Sequence, residues 1–165
     1  MKLLAREPGR LVFRLAKREH EALLTTLRLC PLFPRQAKSI TSDGADAAKL
    51  RAAQEDLDAA LAEHRQAQLT ALEALLADPE RCAPLKPSGW SLVLSPADAE
   101  ALLQALNEVR VGAWEKLGAP DFAAGERPKL TEENFLCLWA FQLSEVFQGV
   151  LLDALMGDNS SDGSG

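Results

Sequence analysis

The sequence contains no tyrosine, a single isoleucine (Ile40) and only six valines among 165 residues. β-Branched and aromatic side chains are the residues strands favour, so their scarcity excludes a sandwich, a barrel or a parallel α/β sheet. Histidine and cysteine are equally sparse: His20 and His64, then Cys30, Cys82 and Cys137. An odd number of widely spaced cysteines with no C-x-x-C argues against a secreted disulfide scaffold and against a zinc site. Reduced thiols in the cytoplasm are expected. At the N-terminus Lys2 and Arg6 interrupt the chain before an apolar stretch of signal-peptide length can form. The longest apolar stretch, Phe135 to Leu152, carries Gln142, Ser144, Glu145 and Gln148. Such groups are costly at a bilayer centre, so a core helix is expected there and no membrane association.

Leucine and alanine dominate instead, with 30 and 27 positions. Both lose little rotamer freedom in a helix. With 47% hydrophobic and 25% charged residues, the chain is long enough for one soluble core without metals or disulfides. The expected fold is mainly α (α+β): a four-helix core with a small antiparallel sheet, made from an N-terminal hairpin and one short internal strand. Residues 1–156 form the single domain and residues 157–165 a disordered Ser/Gly/Asp tail.

The hairpin spans residues 2–15. Leu3–Arg6 and Leu11–Leu15 flank Glu7-Pro8-Gly9-Arg10, which suits a type II turn. Trp90 to Leu94 supplies the third strand, with Trp90, Leu92 and Leu94 on one face. The first helix is expected from Ala16 to Cys30, stopped by Pro31 and Pro34, and a linker from Lys38 to Ala45 follows. The second runs from Asp46 to Ala77, where Leu50, Leu57, His64 and Ala71 form a heptad row beside Leu61, Gln68 and Leu75. That interrupted seam suits packing within the chain, with His64 as a core-edge histidine. Asp78–Gly89 reads as loop. Ser95-Pro96-Ala97-Asp98 starts the third helix with a Ser cap, a first-turn Pro and an acid at the third position. That helix reaches Leu117. Thr131 caps the fourth, which ends near Met156 and, being apolar almost all round, is expected at the centre.

Catalytic and metal chemistry is not found. No glutamate precedes a histidine by three residues, as a di-iron bundle requires. His20-Glu21 opens like a metalloprotease helix, but Leu24 stands where the second histidine belongs. Walker A, G-x-G-x-x-G and G-x-S-x-G patterns are missing. No catalytic residue, metal ligand or cofactor is assigned. Cys30 and Cys137 lie in apolar rows, whereas Cys82, beside Arg81 in the expected loop, is the one thiol in an electropositive setting and the redox candidate.

The most specific feature lies in the third helix. Leu102, Leu106, Val109 and Ala113 line one stripe; Leu103, Asn107, Arg110 and Trp114 line its neighbour. A guanidinium between apolar neighbours needs an acceptor. The preferred reading is a buried polar clamp from Arg110 to helix-end carbonyls or to Glu145 or Glu19. An anion pocket around Asn107 and Arg110 is the alternative.

At these residues the chain resembles an uncharacterised bacterial family, the domain-of-unknown-function 2017 family. The resemblance rests on Leu92-Val93-Leu94-Ser95, on Ala105-Leu106-Asn107-Glu108-Val109-Arg110-Val111 with Leu117-Gly118, and on Leu138-Trp139-Ala140-Phe141-Gln142. It covers the hairpin, the first helix and residues 90–155, and departs at Trp114 and in the basic N-terminal segment. It implies a small, mostly helical cytoplasmic protein and brings no catalytic residue or cofactor.

Charge is unevenly spread. Residues 1–38 hold nine basic and three acidic residues, a net +6, and the remainder nets −12, giving −6 overall. Arg6, Arg10, Arg14, Lys17 and Arg18 form the candidate basic patch. Neutralisation within the fold is the preferred account, an acidic protein partner the second. Nucleic acid comes last, because Phe13 alone interleaves the patch with an aromatic ring and the rest of the chain repels phosphate. The functional expectation is a non-enzymatic cytoplasmic interaction or regulatory protein, with a protein partner or a homo-oligomer through the second helix. A thiol-based redox-responsive regulator using Cys82, or a small enzyme around Asn107 and Arg110, are the alternatives.

Overall fold

The computed structural model describes residues 1–30 and 47–157. The elements are β1 (Lys2–Glu7), β2 (Arg10–Leu15), α1 (Lys17–Arg28), α2 (Ala47–Ala77), β3 (Cys82–Pro84), β4 (Trp90–Leu94), α3 (Pro96–Lys116) and α4 (Phe135–Met156). The expected mainly helical fold with a small antiparallel sheet is what forms. The linker at Lys38–Ala45, the stop at Pro31 and Pro34, and the tail beyond Gly157 lie outside the described residues.

Alternation in β2 does what the sequence requires: Leu11, Phe13 and Leu15 are buried while Arg10 and Arg14 are exposed. Gly9 takes φ +71°, the left-handed position that a type II turn demands. The sheet order is β1-β2-β4-β3, all antiparallel. Leu11 pairs with Leu94, Phe13 with Leu92 and Leu15 with Trp90, so one face carries the apolar row onto the helices. A fourth strand, β3, lies inside the segment expected to be loop. Cys82 pairs with Leu92 and Pro84 with Trp90. Three residues ending in proline are too short to alternate visibly, and the edge position spares Pro84 a missing donor. Gly89, at φ +104°, brings the chain so close to β2 that an added Cβ would lie 2.6 Å from the Leu15 carbonyl oxygen.

Helix ends follow local chemistry. Ser95 Oγ accepts from the Asp98 amide at 3.1 Å and the Asp98 carboxylate accepts from the Ser95 amide at 2.8 Å, the reciprocal capping box. The same carboxylate takes the Arg81 guanidinium, whose Nε donates to the Val93 carbonyl at 3.0 Å, tying the sheet edge to α3. Thr131 and Asn134 cap each other before α4: the Asn134 amide donates to Thr131 Oγ1 (3.2 Å) and the Thr131 amide to Asn134 Oδ1 (2.8 Å). The regular helix therefore begins at Phe135, one turn beyond the expected cap.

Two expectations about the helices are corrected. α2 does not pack along its heptad row: Leu50, Leu57, His64 and Ala71 are all exposed, and the residues that reach the core are Leu72 and Leu76, with Leu69 and Leu75 partly covered. The turns from residue 65 onward meet α3, and among the described residues nothing stands opposite the earlier ones. α4 is not surrounded either. Ala140, Ser144, Phe147, Leu151 and Ala154 face α3 and the core, while the opposite side remains open.

Candidate interaction surface

α4 buries one stripe through steps of four, three, four and three residues, which is the geometry of a helix lying on one neighbour. A surface helix ordinarily turns polar groups outward on the other side. Here that side presents Phe135 (54% exposed), Val146 (58%), Leu152 (44%) and Met156 (67%), with Gln142, Glu145, Gly149 and Asp153 among them. A Cβ added at Gly149 would meet nothing within 4 Å, so the strip is flat at its middle. Among the described residues α4 is the one helix long and apolar enough to cross a membrane by length and composition, with mean hydropathy 1.5. The core helix of a soluble protein passes the same measure, and α4 packs along most of its length on α3.

The strip runs into a groove of about 320 Å³ lined by Phe122, Arg127, Pro128, Leu138, Phe141, Gln142 and Glu145. One wall is the loop after α3. Trp114 Nε1 donates to the Pro120 carbonyl at 3.0 Å and Phe122 packs on Phe141 with centroids 5.0 Å apart, which holds the loop against α3 and α4. Arg127 stands 5.8 Å above the Phe122 ring, and its Nη1 donates to the Phe122 and Glu126 carbonyls.

Arg110 and Asn107 share a half-buried stripe with Leu103 and Trp114, as their spacing predicts. Arg110 Nη2 donates to Asn107 Oδ1 at 3.0 Å. The expected carboxylate partners are engaged or placed elsewhere: Glu19 accepts from the Met1 amino group and the Ala16 amide, and Glu145 is exposed on the groove rim. The pair is thus an intrahelical contact rather than a clamp between helices. Of the basic patch, Arg10, Arg14, Lys17 and Arg18 are exposed. Arg6 is half-buried and donates to the Ala154 carbonyl at 2.6 Å, so it caps the C-terminus of α4.

Cys82 is corrected most sharply. It lies 4% exposed in β3 rather than in an open loop. Its Sγ is 3.5 Å from Nε2 of His20, which is itself 8% exposed and stacked on Trp90 with centroids 4.0 Å apart. Burial pushes the Cys82 thiol up and the His20 imidazolium down, so both groups are neutral. A thiol hydrogen-bonded to a neutral imidazole is a core contact, not an activated nucleophile. Cys30 is buried as well, with Sγ 3.6 Å from Glu108 Oε2; burial, then the Glu108 charge, push its thiol up to about 12. Glu108 also accepts from Arg65 Nε at 2.8 Å, so one carboxylate of α3 joins α2 to the residues just after α1. The sequence reading passed over Glu108 and Arg65, and the available signal was an acid flanked by core positions Leu106 and Val109. Among the described residues no three His, Cys, Asp or Glu side chains gather as a metal site.

Comparison with protein-family models, curated proteins and solved structures returns no match. The resemblance to the domain-of-unknown-function 2017 family therefore rests on its motif residues alone.

Proposed function

We propose that the chain is a non-enzymatic cytoplasmic interaction protein that docks an amphipathic helix of another protein along the outward face of α4. One observation carries the reading: α4 leaves Val146, Leu152 and Met156 roughly half or more exposed on the side of the helix turned away from the core. Contiguous exposed apolar surface on a soluble domain marks interaction sites. A helix laid along such a strip is read through anchors every three or four residues. Glu145 and Asp153 flank the strip, so the partner helix carries Lys or Arg beside its apolar stripe.

Capture from native lysate with wild-type protein and with a folded Val146→Glu/Leu152→Glu variant, followed by calorimetric titration of each purified captured protein, tests this. A partner that binds the wild type and loses at least tenfold affinity for the variant is expected. Partners that bind both proteins equally would overturn the reading.

A further inference from the structure

A 31-residue helix is about 46 Å long, and α2 uses only its C-terminal part to hold the fold. Arg65 bonds Glu108, Gln68 reaches Gln104 and the Ala101 carbonyl, and Leu72 and Leu76 enter the core. From residue 48 to residue 64 every side chain is exposed except half-buried Gln54, which donates to Asp58 at 2.9 Å. Leu50 (46% exposed), Leu57 (53%) and Leu61 (41%) remain in this stretch, and with Gln54 they step by four, three and four residues. That is a seam of about three turns with no counterpart among the described residues.

We infer that this stretch of α2 pairs with the same stretch of a second copy, antiparallel, with Leu50 against Leu61 and Gln54 against Leu57 of the other chain. The inference concerns a different surface from α4 and does not depend on it. The residues beside the seam select both the partner and the register. Ala53 and Ala60 lie along one side, and Arg51 and Asp58 along the other. In the antiparallel register just given, the two alanines meet each other and let the backbones approach. Arg51 faces Asp58 of the other copy, twice by symmetry. Sliding by one heptad would place Asp58 against Asp58 and Arg51 against Arg65. A parallel pair would set Asp58 opposite Ala53 and Arg65 opposite Ala60, and would stack Gln54 on Gln54. Flanking charges decide orientation and register in such seams. The overlap of about 18 Å is short, so the dimer is a weak one, at the small end of protein interfaces.

Sedimentation velocity of the full chain from about 5 to 500 µM is the test. The wild type is expected to shift from monomer to dimer across that range, and Leu57→Glu/Leu61→Glu to stay monomeric with unchanged helicity. Arg51→Asp and Asp58→Arg are each expected to weaken the dimer several-fold, and the double swap to restore it. A wild type monomeric at every concentration would overturn the inference, as would a dimer that survives Leu57→Glu/Leu61→Glu. Loss of the dimer in Val146→Glu/Leu152→Glu would move self-association to α4 and equally overturn it.

Discussion

His20 makes the stability of this fold sensitive to mild acid. Its ring is 8% exposed, lies flat on Trp90 at 8° and 4.0 Å, and faces the Cys82 sulfur at 3.5 Å. Burial lowers its pKa, and the charge of neighbouring Glu21 opposes that less strongly. A protonated ring over Trp90 would gain a cation–π contact of about 0.5–2 kcal/mol. Loss of hydration on burial is the largest cause of the lowered pKa and sets its direction. Because the folded value lies below the unfolded one near 6.5, the stability is fully present above about pH 6.5. It falls as the unfolded chain takes up a proton that the native chain refuses. The slope from one such site cannot exceed about 1.4 kcal/mol per pH unit, so the loss by pH 5 is at most about 2 kcal/mol. Urea unfolding of the wild type and of His20→Leu between pH 8 and pH 5 measures the difference, and the other titrating groups cancel between the two proteins. The wild type should lose stability relative to the variant as pH falls. Parallel curves, or a wild type that gains relative stability in acid, would refute the reasoning.

Two further substitutions probe the framework. Gly89→Ala places a side chain at φ +104° and 2.6 Å from the Leu15 carbonyl oxygen. The backbone strain alone costs about 1–3 kcal/mol, so the melting temperature should drop by several degrees; an unchanged value would mean that β2 and β4 do not approach as described. Ser144 is fully buried in α4 and its Oγ has no hydrogen-bond partner. An unpaired buried hydroxyl costs about 1–3 kcal/mol, so Ser144→Ala should raise the calorimetric melting temperature by roughly 2–12 °C, and destabilisation would reveal a partner for that hydroxyl.

Local chemistry was the most legible part of the sequence. The Pro-Gly turn, the alternation of Leu11, Phe13 and Leu15, and the Ser95–Asp98 capping box all form as read, because each depends on residues a few positions apart. The two stripes of α3 also segregate as their spacing requires: Leu102, Leu106, Val109 and Ala113 are buried, and Leu103, Asn107, Arg110 and Trp114 half-buried. What could not be read is which element stands opposite a given face. Cys82 looked exposed because it stands beside Arg81 in a segment expected to be loop, yet β4 and His20 close over it. Glu108 looked like any helix acid, yet Arg65 from 43 residues away and Cys30 from 78 meet it.

The same limit explains why α4 and the early turns of α2 were misplaced, and it gives those errors their content. Hydrophobic periodicity reports that a face needs covering, without reporting what covers it. Where the fold supplies the cover, as it does for Phe147 and Leu151, pattern and burial agree. Where it does not, as at Val146 and Met156 on α4 and Leu57 on α2, the apolar pattern exceeds what one copy of the described chain can bury. Leucines kept on an exposed seam weaken solubility unless something meets them. The places where pattern and burial disagree are therefore where binding partners should be sought. They lie on two separate helices, so one can be blocked without disturbing the other.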